Sequence, residues 1–275
     1  MSAKPESARR PLMLAAGSLL DHDAPTLLRA AASAGFDGVG LRLSGEHAVP
    51  ADRQAGELRR MSDDLGLTIH DAEVIRIDDT WARPGGLPDS ARRLLETSAR
   101  LGASSILVVS DVPDAAATAD AVAGLVEATS VVGVAVGLEY MAWTTPATPA
   151  GALAMAASTG CRIVVDVLHH VRVGAGVEEL RTLVDAGHLG WMQLCDAATA
   201  DAVDLGDVDR EAVIHEARHG RLPPGQGALP LAEFLAAIPA DAVISVEVQS
   251  DDLAGLGAQE RAELLAATTR PLLPL

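Results

Sequence analysis

Short runs of apolar and β-branched residues alternate along this chain with longer stretches in which apolar residues recur at helical spacing. The runs predict eight strands, at 12–17, 38–43, 67–74, 105–110, 134–141, 162–167, 190–195 and 243–249. The stretches between them predict helices near 24–34, 51–65, 89–101, 115–132, 147–159, 176–187, 229–238 and 258–269. Several strands are apolar almost throughout, which is typical of parallel strands that are covered on both faces.

Eight strand–helix units in 275 residues match the length of a closed (β/α)8 TIM barrel, and no change in composition marks a second domain. We therefore predict an α/β fold with one barrel domain over 1–275. A doubly wound open sheet is the alternative. Residues 1–10 are expected to form a disordered extension. A long loop is expected after strand seven, at 196–228, with a short helix at 209–219.

The charge of the chain limits its partners. It carries 38 acidic and 21 basic residues, a formal net charge of −17. Such a balance argues against nucleic acid and against anionic membrane surfaces. Its two cysteines have no zinc-type spacing and form no disulfide framework, which favours the cytoplasm. An apolar run follows Arg9 and Arg10, but it stops at Asp21 without a cleavage site, so we expect a buried strand there rather than a secretory signal.

Four oxygen-bearing side chains stand at the ends of predicted strands five to eight. They are Glu139, Asp166, Gln193 and Glu247. The first three are separated by 27 residues each, which is one strand–helix unit, and Glu247 follows after 54. In a TIM barrel the carboxyl ends of the strands carry the active site, so these side chains should converge there.

Three buried carboxylates at one point would repel one another unless a cation lies between them. A shell made only of oxygen suits Mn²⁺ or Mg²⁺. Any one of these carboxylates alone would more often be an exposed or salt-bridged loop residue. The other 35 acidic residues are expected on the solvated surface.

The sequence resembles the xylose isomerase-like TIM barrels, which include sugar phosphate isomerases and epimerases, dehydratases and endonuclease IV. The resemblance rests on five segments: LEYM at 138–141, VDVLH at 165–169, QLCD at 193–196, GRLPPGQG at 220–227 and VEV at 246–248. It implies that Glu139, Asp166, Gln193 and Glu247 are metal ligands. It also implies that His169 and Arg221 contact substrate. The epimerases usually have His where this chain has Gln193, whereas some dehydroshikimate dehydratases have Gln.

The expected reaction is isomerisation or epimerisation of a small sugar or polyhydroxy carbonyl compound. One of Glu139 and Glu247 would remove a proton next to a metal-bound carbonyl, and the other would return it to the enediolate. If a hydroxyl group lies β to the carbonyl, the same chemistry makes the enzyme a dehydratase or lyase. A DNA-repair nuclease is disfavoured by the charge and by Gln193. A non-catalytic binding barrel is a further alternative.

Three more residues are weighed as part of the pocket. Trp143 is a candidate to stack on a sugar face, although packing on the barrel top would explain it equally. Glu73 is a candidate substrate contact, although Asp71 and Arg76 nearby would suit an ordinary surface pair. His170 is expected to lie on the surface or behind the site. The oligomeric state stays open, with a homo-oligomer as the form that relatives commonly take.

Overall fold

The chain forms a closed barrel of eight parallel strands in the computed structural model, which describes residues 10–43, 53–82 and 87–273. Each strand pairs with the next, and the eighth pairs with the first. The (β/α)8 prediction is confirmed, and the open sheet is excluded. The strands β1 to β8 are Leu12–Leu14, Gly38–Arg42, Thr68–Ile77, Ser105–Ser110, Ala135–Glu139, Arg162–Asp166, Leu189–Leu194 and Ile244–Val246.

Ten α-helices in the described part of the chain lie between and after the strands. Helices α1 to α10 are Ala24–Ser33, Arg53–Asp64, Asp89–Leu101, Ala115–Ser130, Pro149–Thr159, Val167–Arg172, Val177–Asp185, Arg210–His219, Leu231–Ala237 and Ala258–Thr269. Apolar residues of the helices and of the outward strand faces form one large core. Among the described residues, no helix is long and apolar enough to cross a membrane.

A smaller apolar layer fills the floor of the barrel interior. Leu107, Val164 and Trp191 pack together there, from β4, β6 and β7. The Trp191 ring needs the space above Gly137, because a Cβ at that position would collide with it. His70 contacts the same ring edge-on, with 5.1 Å between the ring centroids. The floor is thus closed, and the open end of the barrel lies at the carboxyl ends of the strands.

Several strand boundaries differ from the prediction. β6 ends at Asp166 because the Asp166 carboxylate caps the amino end of α6, so the backbone turns into a helix at once. β3 continues to Ile77, because Arg76 and Ile77 still pair with β4. β8 ends at Val246, although the amide of Glu247 still donates to the Leu194 carbonyl.

The long connection between β7 and α9 contains α8, close to the predicted 209–219 helix. Its two ends are held together at Asp196, whose backbone pairs with Leu222. The Asp196 carboxylate also accepts hydrogen bonds from the amides of Ala197, Gly225 and Leu229. This buried carboxylate therefore closes the connection over the rim of the barrel.

The expectation that all acidic residues outside the metal site lie on the surface is wrong. Asp71, Glu73 and Asp196 are each 1% exposed. The predicted extension 1–10 lies outside the described residues except for Arg10. The Arg10 side chain is buried and donates to the carbonyl of Ile238 at 3.1 Å.

Candidate metal and substrate site

The four predicted ligand residues come from adjacent strands and face the barrel interior. Asp166 stands opposite Gln193 in the β6–β7 pairing, and Gln193 stands opposite Ser245, two residues before Glu247. Glu139 stands opposite Val164, which is two residues before Asp166. A register step of two keeps side chains on the same face of a sheet. All four side chains are buried, and they surround the open end of the barrel on the side formed by β5 to β8.

Asp166 is the most firmly held of the four. Its Oδ1 accepts hydrogen bonds from the amides of Leu168 and His169 at the start of α6. Its Oδ2 accepts one from Nη1 of Arg221 at 2.5 Å. Burial alone would raise the pKa of Asp166, but the Arg221 guanidinium and these amide donors outweigh it and hold the pKa below its usual value. Asp166 is therefore a carboxylate at neutral pH.

The Arg221 side chain contacts Asp166 and several groups around it. Besides Asp166, its side chain bonds the carbonyl of Ala217 and lies 4.0 Å from Oε2 of Glu247. Nη2 is 3.4 Å from Nε2 of His169. The guanidinium is buried, so its charge acts on the acidic groups without much screening by water.

His169, which the resemblance assigns to substrate contact, also lies close to the acidic groups. Its Nε2 is 3.7 Å from Oε1 of Glu139. Ligand atoms of Glu139, Asp166 and His169 lie within 4.8 Å of one another, which is a spacing that one metal ion can span. Burial lowers the pKa of His169 to about 4, so the ring is neutral at pH 7 and has a lone pair to offer.

Gln193 and Glu139 show why a cation suits this site. The Gln193 side chain is fully buried, and neither its Oε1 nor its Nε2 has a hydrogen-bond partner. Burial raises the pKa of Glu139 well above its usual value, and the charges of Asp166 and Glu247 raise it further. One divalent cation would take up the unpaired amide oxygen and offset the crowded carboxylates. The residues present therefore fit a divalent metal ion.

A cavity of about 570 Å³ opens over these groups. All the predicted catalytic and substrate-contacting residues line it: Glu73, Glu139, Trp143, His169, Arg221 and Glu247. Trp143 contacts His169 edge-on, with 5.0 Å between the ring centroids, so the indole forms part of the wall beside the carboxylate cluster. Asp166 and Gln193 do not line the cavity and lie beneath it.

Glu73 belongs to a buried acidic pair that the sequence analysis missed. It forms an ion pair with Arg42 of β2, with 3.1 Å between Oε2 and Nη2. Burial raises its pKa to about 7, against the opposing charge of Arg42. The alternative of an ordinary surface pair with Asp71 and Arg76 is wrong, because Asp71 is buried and Arg76 pairs with Asp111. The alternation of side chains along β3 predicts that Asp71, two residues before Glu73, points to the same face of the sheet as Glu73.

His170 is buried, not on the surface. Its Nδ1 is 2.5 Å from the hydroxyl oxygen of Tyr140, and its Nε2 is 2.8 Å from the carbonyl oxygen of Gly176. Because Tyr140 follows Glu139 and His170 follows His169, this contact joins the end of β5 to α6 directly behind two residues of the cluster. In the sequence, the only sign of this contact is that Tyr140 and His170 each directly follow a candidate site residue.

A model of the xylose isomerase-like TIM barrel family matches residues 28–268. The match covers most of the sequence, so the chain belongs to this family. A 3-dehydroshikimate dehydratase from Pseudomonas aeruginosa is 29% identical over 241 residues, which make up 82% of this chain and 36% of the dehydratase. The chain thus spans about a third of the length of that relative.

Solved structures share the fold at low sequence identity. The IolI protein with a bound zinc atom superimposes with a TM-score of 0.75 at 17% identity, covering 96% of this chain and 98% of IolI. A D-allulose 3-epimerase from Methylomonas sp. gives a TM-score of 0.69 at 15% identity, covering 96% of this chain and 98% of the epimerase. At these identities the likeness extends to the fold alone.

Proposed function

We propose that this protein is a divalent-metal-dependent enzyme that moves a proton on the carbon next to a carbonyl group of a small sugar or polyhydroxy compound. The first candidate reaction is isomerisation or epimerisation. The observation that carries the proposal is the presence of two buried carboxylates, Glu139 of β5 and Glu247 after β8, on the wall of one cavity. Two such groups allow a proton to be removed from one face of a carbon and returned to the other face or to the adjacent carbon.

Glu139, Asp166, Gln193 and Glu247 would hold the metal ion, with His169 close enough to join them. Mn²⁺ or Mg²⁺ suits the four oxygen donors, while a nitrogen from His169 would also suit zinc, the metal bound to IolI. When bound, the cation would polarise the substrate carbonyl and so acidify the adjacent C–H bond. Identifying the metal requires metal analysis of the purified protein.

The surrounding side chains suit this chemistry. Burial and the neighbouring carboxylates raise the pKa of Glu139 in the absence of a metal ion, and a bound cation would offset that rise and leave Glu139 as a carboxylate that can accept a proton. Glu247 accepts a hydrogen bond from Nε2 of Gln249 at 3.0 Å, which orients its carboxylate. The neutral ring of His169 would hydrogen-bond a substrate oxygen, and Trp143 would cover one face of the substrate.

Dehydration is the second candidate. The similarity to a 3-dehydroshikimate dehydratase favours it, because that relative is 29% identical over most of this chain. Removing the same proton would start an elimination if a hydroxyl group lies β to the carbonyl. Inososes and dehydroshikimate have that arrangement, whereas a 3-keto-glycoside would expel its aglycone alcohol from the β position.

Incubation in D₂O with Mn²⁺ separates the two reactions. The substrates to compare are keto-sugars, inososes, 3-keto-glycosides and 3-dehydroshikimate. An isomerase or epimerase incorporates deuterium without losing water, whereas a dehydratase releases a product that is lighter by one water molecule. EDTA-treated protein and a Glu139→Gln variant are the controls, and both should be inactive. If no substrate exchanges a proton or loses water with any divalent metal, the proposal is refuted.

The expected partners follow from charge and composition. We propose a small-molecule substrate, no nucleic-acid or membrane partner, and a cytoplasmic location, because the net charge is −17 and both cysteines are free and buried. A homo-oligomer remains a proposal that sedimentation of the purified protein would test.

A further inference from the structure

Three arginines line the cavity outside the carboxylate cluster: Arg42, Arg76 and Arg218. We call them the arginine rim. They are three of only 21 basic residues in a chain that carries 38 acidic ones. The overall composition would favour acidic side chains at the opening of the cavity, so it does not explain why three arginines lie there.

The barrel topology places two of these arginines across the opening from the candidate metal site. Arg42 ends β2, and Arg76 lies near the end of β3. In a closed barrel of eight sequential strands, β2 and β3 are diametrically opposite β6 and β7, which carry Asp166 and Gln193. Arg218 lies on α8, so it borders the cavity from the connection above β7.

The rim keeps unused hydrogen-bond donors and positive charge. Nε of Arg42 is buried and has no hydrogen-bond partner, although Nη2 of the same side chain pairs with Glu73. Arg76 shares the carboxylate of Asp111 with Arg210, at 2.7 and 3.5 Å, so one negative charge faces two positive ones. Arg218 is exposed and has no ion-pair partner among the described residues.

We infer that the arginine rim binds an anionic substituent of the substrate, either a carboxylate or a phosphate ester, at the end of the molecule away from the reacting carbonyl. The planar guanidinium fork matches both of these oxyanions. The position of the reacting carbonyl in this inference rests on the proposed function, whereas the anion site rests on the arginine rim alone. The substrate would then be a hydroxy-keto acid or a keto-sugar phosphate rather than a neutral sugar.

Equilibrium binding of matched ligands tests this inference. Isothermal titration would compare shikimate with methyl shikimate, and fructose 6-phosphate with fructose, because each pair differs in one anionic group. The first pair probes a carboxylate and the second a phosphate. Each titration would be run on Mn²⁺-loaded protein and on EDTA-treated protein, and at low and high salt. We expect the anionic member of at least one pair to bind about tenfold more tightly or better, with a loss of affinity at high salt.

Variants assign the effect to the rim. Arg218→Gln removes an exposed guanidinium that has no ion-pair partner in the part of the chain that the structure describes, so the fold should be unaffected. Arg76→Gln tests the arginine that Asp111 holds in place. Each should weaken binding of the preferred anion about tenfold and leave the neutral partner within about twofold. Arg181→Gln is the matched control, because Arg181 pairs with Glu178 on the exposed face of α7 and does not line the cavity.

The outcomes separate this inference from the proposed function. A preference for the anion that persists in EDTA and is lost in Arg218→Gln and Arg76→Gln supports the anion site, even if no catalytic activity is found. Equal binding of charged and neutral ligands, or a preference that survives both substitutions, overturns it. Arg42 is left unchanged in these tests, because its removal would leave Glu73 buried without a counter-charge.

Discussion

Gln193 is fully buried in the barrel, and its amide has no hydrogen-bond partner for either polar atom. An unsatisfied buried polar group costs about 1–3 kcal/mol of stability. Such a cost at a position beside three carboxylates is explained if the amide oxygen serves as a ligand. Asp166 shows the opposite arrangement, since its hydrogen bonds to Arg221 and to α6 hold it in one orientation.

Replacing Gln193 with methionine should therefore act in opposite directions on stability and on metal binding. In EDTA, we expect Gln193→Met to raise the free energy of unfolding by about 1 kcal/mol, because the buried amide is removed and its volume is kept. Binding of Mn²⁺ should weaken at least tenfold. Urea denaturation and Mn²⁺ titration measure the two effects. A destabilised variant that binds Mn²⁺ normally would contradict the ligand role.

Glu139 and Glu247 should each be essential for turnover. Glu139→Gln and Glu247→Gln keep the side-chain shape and remove the proton-transferring group, so we expect a loss of about 10²–10⁴-fold in kcat. The measurement uses the substrate found by deuterium exchange, after circular dichroism has shown that each variant is folded. Glu178→Gln, on the exposed face of α7, is the control. Near-normal turnover in either variant would refute the two-carboxylate mechanism.

His70 predicts a dependence of stability on pH. Burial lowers its pKa to about 4, against about 6.5 in the unfolded chain. The unfolded chain binds more protons between these values, so the stability from this residue is complete above pH 6.5 and falls as the pH drops toward 4. We expect the wild type to lose about 2–3 kcal/mol more than His70→Phe between pH 7 and pH 4.5. Urea denaturation at both pH values measures this difference, and equal losses would exclude it.

At the scale of elements, helix α6 carries the site as much as the strands do. It begins at Val167, where the Asp166 carboxylate caps it, and it presents His169 to Glu139. The contact between Tyr140 and His170 fixes this helix against the end of β5. Hence the orientation of Glu139 relative to His169 depends on the buried hydrogen bond between Tyr140 and His170.

Removing that hydrogen bond should loosen the cluster. Tyr140→Phe leaves a buried ring nitrogen of His170 without a donor, so we expect a loss of about 1–3 kcal/mol in unfolding free energy. Mn²⁺ affinity should also fall, because Glu139 and His169 lose their common support. Ser158→Ala is the control, since Ser158 bonds only a carbonyl within α5. A variant with reduced stability and unchanged Mn²⁺ affinity would make Tyr140 purely structural.

Most elements and the convergence of Glu139, Asp166, Gln193 and Glu247 were predictable from the sequence, because apolar runs mark the strands and each of these residues stands at or beside the end of one. The contacts between distant elements were not. Arg76 forms an ion pair with Asp111, which directly follows β4, and not with Asp71 of its own strand. The register of β2 against β3 shifts between Val39 and Gly40, and local periodicity does not encode such shifts.

At the scale of the whole molecule, metal binding should be visible as a gain in stability. A ligand that binds only the folded state at 100 times its Kd adds about 2.7 kcal/mol. We therefore expect Mn²⁺ at that level to raise the Tm by roughly 5–10 °C over EDTA-treated protein. Differential scanning fluorimetry measures the shift, and Glu247→Gln should reduce it. An identical Tm with and without every divalent ion tested would contradict a metal site.

Asp196 bears on how such a barrel can be redesigned. Its carboxylate and backbone hold the exit of the β7–α9 connection at Leu222, Gly225 and Leu229, whatever residues come between. The stretch between this anchor and Arg221 includes α8 with Arg218, yet none of it belongs to the strands. It is held to α6 where Glu216 and the carbonyls of Thr199 and Asp201 accept hydrogen bonds from Arg172. A designer who keeps those contacts and Arg221 can therefore vary Arg218 to change what the cavity selects, while the barrel and the hydrogen bond that holds Asp166 stay in place.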